Sequence, residues 1–98
     1  MCSIFSGQDP SEYTPETRRL RLNGQSTSLR LEAAFWHILD AMAADQGMST
    51  PAFISKLHDE VLRQRGEAAN FSSLLRCSCL LHVAGAGTPA YAAALAAE

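Results

Sequence analysis

The sequence predicts a small, mostly α-helical domain fronted by a short N-terminal β-ribbon. Two observations carry this. Asn23-Gly24 stands between two runs, RRLRL and QSTSLRL, that alternate polar and apolar residues, and Asn-Gly is among the strongest short-range hairpin signals. Beyond them, three stretches repeat apolar residues at helical spacing, each bounded by a cap residue or a glycine.

The 98 residues allow one domain. A chain of this size buries only about 60–65% of its unfolded surface, so a second copy of itself is a natural way to complete the core. Residues 1–17 are polar, hold Gly7, Pro10 and Pro15, and show no sustained period. They read as a flexible arm. Residues 18–83 form the folded domain, and 84–98 are an alanine-rich tail.

A two-residue turn at Asn23-Gly24 sets Leu22 opposite Gln25, Arg21 opposite Ser26, Leu20 opposite Thr27, Arg19 opposite Ser28 and Arg18 opposite Leu29. Side chains alternate faces along a strand. One face then gathers Leu20, Leu22, Thr27, Leu29 and Leu31, and the other Arg19, Arg21, Ser26, Ser28 and Arg30. A slip of one residue would destroy this sorting.

The first helix is expected over 33–46, with Phe35, Ile38, Leu39, Met42 and Ala43 on one stripe, Trp36 widening it, and Gly47 at its C-terminal end. Ser49 is a natural N-cap, and Pro51 falls in the first turn of a second helix over 50–65. Its apolar stripe is Phe53, Ile54, Leu57, Val61 and Leu62, and Gly66 ends it. Asn70 or Ser72 caps a third helix over about 71–83, with Phe71, Leu74, Leu75 and Leu81 apolar.

Net charge is −2, which excludes a protein that coats nucleic acid indiscriminately. The charge is unevenly spread: four of the eight Lys and Arg lie between Arg18 and Arg30 with no acid among them. Three cysteines (Cys2, Cys77 and Cys79) argue against a disulfide scaffold and for a reducing compartment. The N-terminus lacks a basic, apolar leader pattern. No apolar run approaches the ~20 residues of a membrane span. The expected location is cytoplasmic, with no membrane partner.

The segments TSLRLEAAFWHIL and QGMSTPAFISKLHDEV place a short alternating strand, a helix that begins at once, and a second helix opening after Gly-x-Ser. This order resembles the ribbon-helix-helix (Arc/MetJ-like) DNA-binding proteins. The residues Leu22, Asn23, Gly24, Thr27, Ser28, Arg30, Leu31, Glu32, Phe35 and Trp36, followed by Asn70, Ser72, Ser73, Leu75 and Arg76, resemble a bacterial subfamily with an extra third helix. The resemblance covers roughly residues 20–80. It implies an intertwined homodimer, or a higher oligomer, in which each chain lends one strand to an antiparallel ribbon above paired helices. It implies a repressor-like transcriptional regulator whose ribbon enters the major groove of double-stranded DNA.

Under that resemblance Ser26, Ser28 and Arg30 would meet base edges, with Arg30 suited to guanine O6 and N7. Ser49 and Thr50 would hold a phosphate at the second helix N-terminus, and Arg18, Arg19 and Arg21 would add phosphate contacts. The Asn-Gly hairpin departs from this scheme. Two full hairpins paired edge to edge would make a four-stranded sheet roughly 14 Å wide between backbones, against a groove about 12 Å wide. Either residues 18–22 peel away as a basic arm, or such a sheet does not enter the groove in the usual way.

Other chemistry is weakly signalled. Cys77 and Cys79 point about 200° apart on a helix, and Cys79 with His82 gives two ligands where a zinc site uses four. Buried small cysteines are the expectation, with no metal and no cofactor. His37, with Asp40 at i+3, and His58, beside Asp59 and Glu60, read as surface ion pairs. No phosphate-binding glycine loop or nucleophile elbow is present, so no catalytic residue and no enzyme activity is expected. The rival reading is a protein-interaction module, antitoxin-like or regulatory, whose third helix and basic sheet face meet a protein partner.

Overall fold

The computed structural model describes residues 3–85. Its elements in chain order are α1 (Pro10–Tyr13), β1 (Pro15–Leu22), β2 (Gln25–Glu32), α2 (Ala33–Asp45), α3 (Thr50–Arg65) and α4 (Phe71–Ala84). The three long helices match their expected ranges to within a residue. The alanine-rich tail from residue 86 onward lies outside the described residues.

β1 and β2 form a two-stranded antiparallel sheet in the expected register, from Leu22↔Gln25 through Arg18↔Leu29. Asn23 (φ 54°) and Gly24 (φ 84°) both adopt left-handed backbone, as a two-residue type I′ turn requires. Residues 18–22 are therefore a paired strand, not a free arm. The ladder also runs three pairs further than expected, through Thr17↔Arg30 and Glu16↔Leu31 to Pro15↔Glu32. Its extension absorbs the end of the segment read as a flexible arm, and Ala33 N continues it by donating to Thr14 O at 3.0 Å. Just ahead, Asp9 caps the single turn of α1 by accepting from Ser11 N.

One face of the hairpin is the roof of the core. Leu20, Leu22, Leu29 and Leu31 are buried against Trp36, Leu39 and Ala43 of α2, Phe53 and Ile54 of α3, and Phe71, Leu75 and Cys79 of α4. The buried line on α2 is Ala33, Trp36, Leu39 and Ala43, with Phe35, Ile38 and Met42 packed at its side. The helix is thus turned so that Trp36 lies at the centre of the stripe instead of at its edge. The indole buries the largest apolar area on the helix, and its polar tip has a partner: Nε1 donates to Glu16 O at 2.9 Å.

Two further features close this core within one chain. The free ladder side of β2 that a lone strand would expose on one flank is taken up by β1. The chain's own helices are the floor beneath the leucines of the sheet: Leu31, Trp36, Leu39, Ile54, Leu75 and Cys79 are all fully buried. α3 begins where expected, with Ser49 Oγ accepting from Ala52 N at 3.3 Å and Pro51 in the first turn. It ends at Gly66 in left-handed backbone. Asn70 caps α4 through a left-handed backbone and makes no side-chain cap bond.

Leu31 sits at the middle of this packing. Leu31→Ala should lower unfolding free energy by about 2–5 kcal/mol, the range for a buried leucine truncation. Urea denaturation followed by circular dichroism measures it, and a loss below 1 kcal/mol would place the roof of the core elsewhere.

Candidate nucleic-acid interface

The outward face of the hairpin follows from the register. Thr17, Arg19 and Arg21 of β1 share it with Ser26, Ser28 and Arg30 of β2, and all six are exposed. The cross-strand pairs are Arg19 with Ser28, Arg21 with Ser26, and Thr17 with Arg30. The predicted base-facing residues therefore lie together on one strand, with two arginines beside them on the other. Arg21 Nη1 donates to Gly24 O at 3.0 Å, which leans that side chain over the turn. Arg19 makes no hydrogen bond or ion pair among the described residues. At the far end of the face Glu32 accepts from Arg76 Nε of α4 at 3.0 Å. Its own backbone N–H, then Arg76 and more weakly Arg30, hold this carboxyl below the usual range. The acid at the end of the basic face is thereby matched by a base from the third helix.

Arg18 lies on the opposite side of the sheet. Parity along β1 puts it with Leu20 and Leu22, and its guanidinium turns to the helices. Nη1 and Nη2 donate to Asp40 Oδ1 and Oδ2 at 2.9 and 3.1 Å, and Cζ lies 4.4 Å from the Trp36 ring centroid. The expected phosphate role does not fit this geometry, because both arms of the fork and one ring-stacking face are spent inside the protein. Sequence reasoning missed Asp40 as the partner. It paired Asp40 with His37 by helical spacing, yet His37 Nδ1 meets Glu12 of α1 at 3.4 Å.

The start of α3 is committed in the same way. Thr50 Oγ1 donates to Asp40 Oδ1 at 2.6 Å, so its hydroxyl proton is not available to a phosphate. Ala52 N is capped by Ser49, Phe53 N donates to Ser49 O, and Pro51 has no N–H. Little remains of the cluster of free amides on which an anion site at a helix N-terminus depends. Ser49 keeps its hydroxyl proton and is the one predicted phosphate residue of α3 still able to donate. What this corner does instead is join three elements: Asp40 of α2 receives Arg18 of β1 and Thr50 of α3.

The remaining candidates take structural places. Cys79 is buried and its Sγ donates to Phe35 O at 3.7 Å. Burial pushes its thiol up to about 11. Cys77 and His82 are exposed, so the Cys-Ser-Cys-Leu-Leu-His run is split between core and solvent. The His58 ring meets Phe71 edge-on at 5.0 Å and 89°, which corrects the surface ion pair expected with Asp59 or Glu60. No helix among the described residues is long and apolar enough to cross a membrane.

Residues 15–83 match the family model of the ribbon-helix-helix domain. This is well over half of the chain, and the chain belongs to that family, whose fold is that of DNA-binding regulators and is not typically enzymatic. Among solved structures, an uncharacterized protein from Bordetella pertussis Tohama I is similar, with 47% identity and a TM-score of 0.79. The match covers 81% of this chain and 63% of that one, so the chain spans less than two thirds of that protein's length. No curated protein matches the chain.

The Asp40 junction gives a pH signature. Arg18 chiefly, with help from Thr50, lowers the Asp40 carboxyl below its ordinary value of 3.8. A carboxyl lowered on folding contributes stability that is fully present above its unfolded value and is lost as pH falls through the folded one. Both partners are a third or more exposed, so solvent screening keeps the contribution to about 1 kcal/mol. Asp40→Asn should cost that amount at pH 7 in urea denaturation, and the difference from the parent should shrink once pH drops below about 3.8. An equal cost at pH 7 and pH 2.5 would assign Asp40 a packing role alone.

Proposed function

We propose that the protein is a sequence-specific DNA-binding regulator that sets the outer face of its β1–β2 hairpin into the major groove. The observation that carries this is the sorting of the hairpin: its apolar face is buried, and its exposed face collects Arg19, Arg21 and Arg30 around Ser26, Ser28 and Thr17. Base edges in the major groove present acceptors to arginine and either partner to serine, and the groove admits a two-stranded ribbon. Ser26, Ser28 and Arg30 are the residues assigned to base edges from β2, with Arg21 adding positive charge near the turn and Ser49 a phosphate hydrogen bond. Family membership supports the same reading, since ribbon-helix-helix proteins generally bind DNA as dimers. We take the active form to be a homodimer acting as a repressor in the cytoplasm, each copy presenting its own hairpin.

The test is selection of bound duplexes from a random pool, followed by affinity measurements over a salt series. Arg30→Ala should weaken the preferred duplex by about 1–3 kcal/mol, roughly 5- to 150-fold, and flatten the preference at one position. Retention of both affinity and preference would remove Arg30 from the interface.

A second reading has its own observation. Leu80, Leu81 and Val83 stand exposed toward the end of α4, the expected site of a protein partner. A stable co-purifying protein that is lost on changing these three to polar residues, together with no duplex retention, would favour the interaction module.

A further inference from the structure

We infer that Asp40 is a positioning residue for DNA recognition: it receives Arg18 of β1 and Thr50 of α3 on one carboxylate, and so fixes the base-facing strand against the phosphate-facing start of α3. This rests on the DNA-binding reading above and deepens it, because it gives an acid that touches no DNA a part in sequence recognition.

A ribbon that reads base edges has to be set at the right depth and roll relative to the groups that hold phosphate. Phosphate contacts fix the register and orientation of a protein on the duplex, and base contacts depend on that setting. Apolar packing does this poorly by itself. Leu20, Leu22, Leu29 and Leu31 lie in the core shared with the helices, but burial of apolar area is non-directional. Hydrogen bonds have direction, and a two-pronged arginine–carboxylate pair fixes orientation as well as distance.

Asp40 supplies such bonds to both sides. Its Oδ1 accepts from Arg18 Nη1 at 2.9 Å and from Thr50 Oγ1 at 2.6 Å, and its Oδ2 from Arg18 Nη2 at 3.1 Å. The Trp36 ring, 4.4 Å from Arg18 Cζ, backs the same guanidinium. Each arm ends one step from a residue assigned to DNA. Arg18 pairs across the ladder with Leu29, and Leu29 stands between Ser28 and Arg30. Thr50 follows Ser49, the exposed N-cap that keeps its hydroxyl proton for a phosphate. One carboxylate thus links the two surfaces. All three residues belong to one chain, so the junction occurs once in each copy of a dimer.

The experiment uses the full chain, a duplex selected from a random pool and a scrambled duplex. Affinities are measured for the parent, Asp40→Ala, Thr50→Val, Thr50→Ser and the double variant Asp40→Ala with Thr50→Val, at a temperature where thermal melts show all of them folded. Thr50→Val is the milder cut, since it leaves the pair between Arg18 and Asp40 in place. Asp40→Ala and Thr50→Val should each weaken the selected duplex by about 3- to 30-fold, although the first removes an acid. The scrambled duplex, held chiefly by charge, should be unchanged or bind Asp40→Ala more tightly. Thr50→Ser keeps the hydroxyl and should restore the parent's affinity. The double variant should lose little more than Asp40→Ala alone, because both changes cut one linkage.

Selected-duplex affinity at or above the parent's in Asp40→Ala and Thr50→Val, with only the melting temperatures lowered, would make the junction a stabilising contact and overturn the inference. An equal loss on both duplexes would also overturn it, because the reading of bases would then not depend on the junction. Additive losses in the double variant would make Thr50 a direct DNA contact and remove the coupling. Each of these results leaves the DNA-binding reading intact. If the parent retains no duplex even at low salt, that reading itself falls, and this inference with it.

Discussion

The register of the β1–β2 hairpin is the constraint from which the other features of the molecule follow. Side chains on a strand alternate with a period of two, so a shift of one residue exchanges the faces completely. Leu20, Leu22, Leu29 and Leu31 would turn to water, and three arginines would turn to the core. Two devices at opposite ends hold the register. At the tip, Asn23 and Gly24 accept the left-handed backbone of a two-residue turn. At the base, Trp36 Nε1 is bonded to Glu16 O and the Arg18 fork is closed on Asp40. A tip alone fixes which residues pair. The base fixes how the paired strands sit on the helices, and so which way the outer face looks.

The distribution of charge shows how an acidic chain keeps a basic face. Charges near the hairpin are matched on its inner side and at its end: Asp40 with Arg18, Glu32 with Arg76, and Glu12 beside His37. Each match ties a sheet strand or α1 to a helix, so the acids serve the fold. The positive charge left over is on the outer face, where Arg19, Arg21 and Arg30 project from a rigid platform. Arginine rather than lysine at all three positions suits planar, two-pronged contacts, and a rigid strand lowers the ordering cost of placing them.

Much of this was legible in the sequence, for identifiable reasons. The hairpin register was readable because alternation and Asn-Gly agree, and each alone would have been ambiguous. Helix bounds were readable because Ser49, Pro51, Gly47 and Gly66 are strong punctuation. What escaped is long-range pairing of charges. Arg18 has the right parity to face the core, yet its neighbours Arg19 and Arg21 invite a reading of all three as one basic cluster. Asp40 lies 22 positions away from Arg18, and Glu32 lies 44 from Arg76. Helical spacing proposes only the local partner, which is why His37 was matched to Asp40 and His58 to its adjacent acids. The recurring Arg-Leu-Glu and Leu-Arg pieces of the family pattern now have a physical content: Leu31 and Leu75 are both buried in the core, and Glu32 and Arg76 close over it.

The hairpin's edges explain why the outer residues are of these types. With a two-residue turn, Leu22 and Gln25 exchange both backbone bonds, and alternate pairs down the ladder do the same. The bond from Ala33 N to Thr14 O continues that series. Thr17, Arg19 and Arg21 on β1, and Ser26, Ser28 and Arg30 on β2, therefore turn their backbone N–H and C=O groups away from the sheet. The residues that face outward are also the ones with open backbone groups, a standing invitation to add a further strand. Charged side chains discourage such pairing, since like charges placed opposite each other across a new ladder repel. On β1, pairing of two copies about Arg19 would bring two guanidinium groups together. The same arginines thus discourage a further strand at the β1 edge.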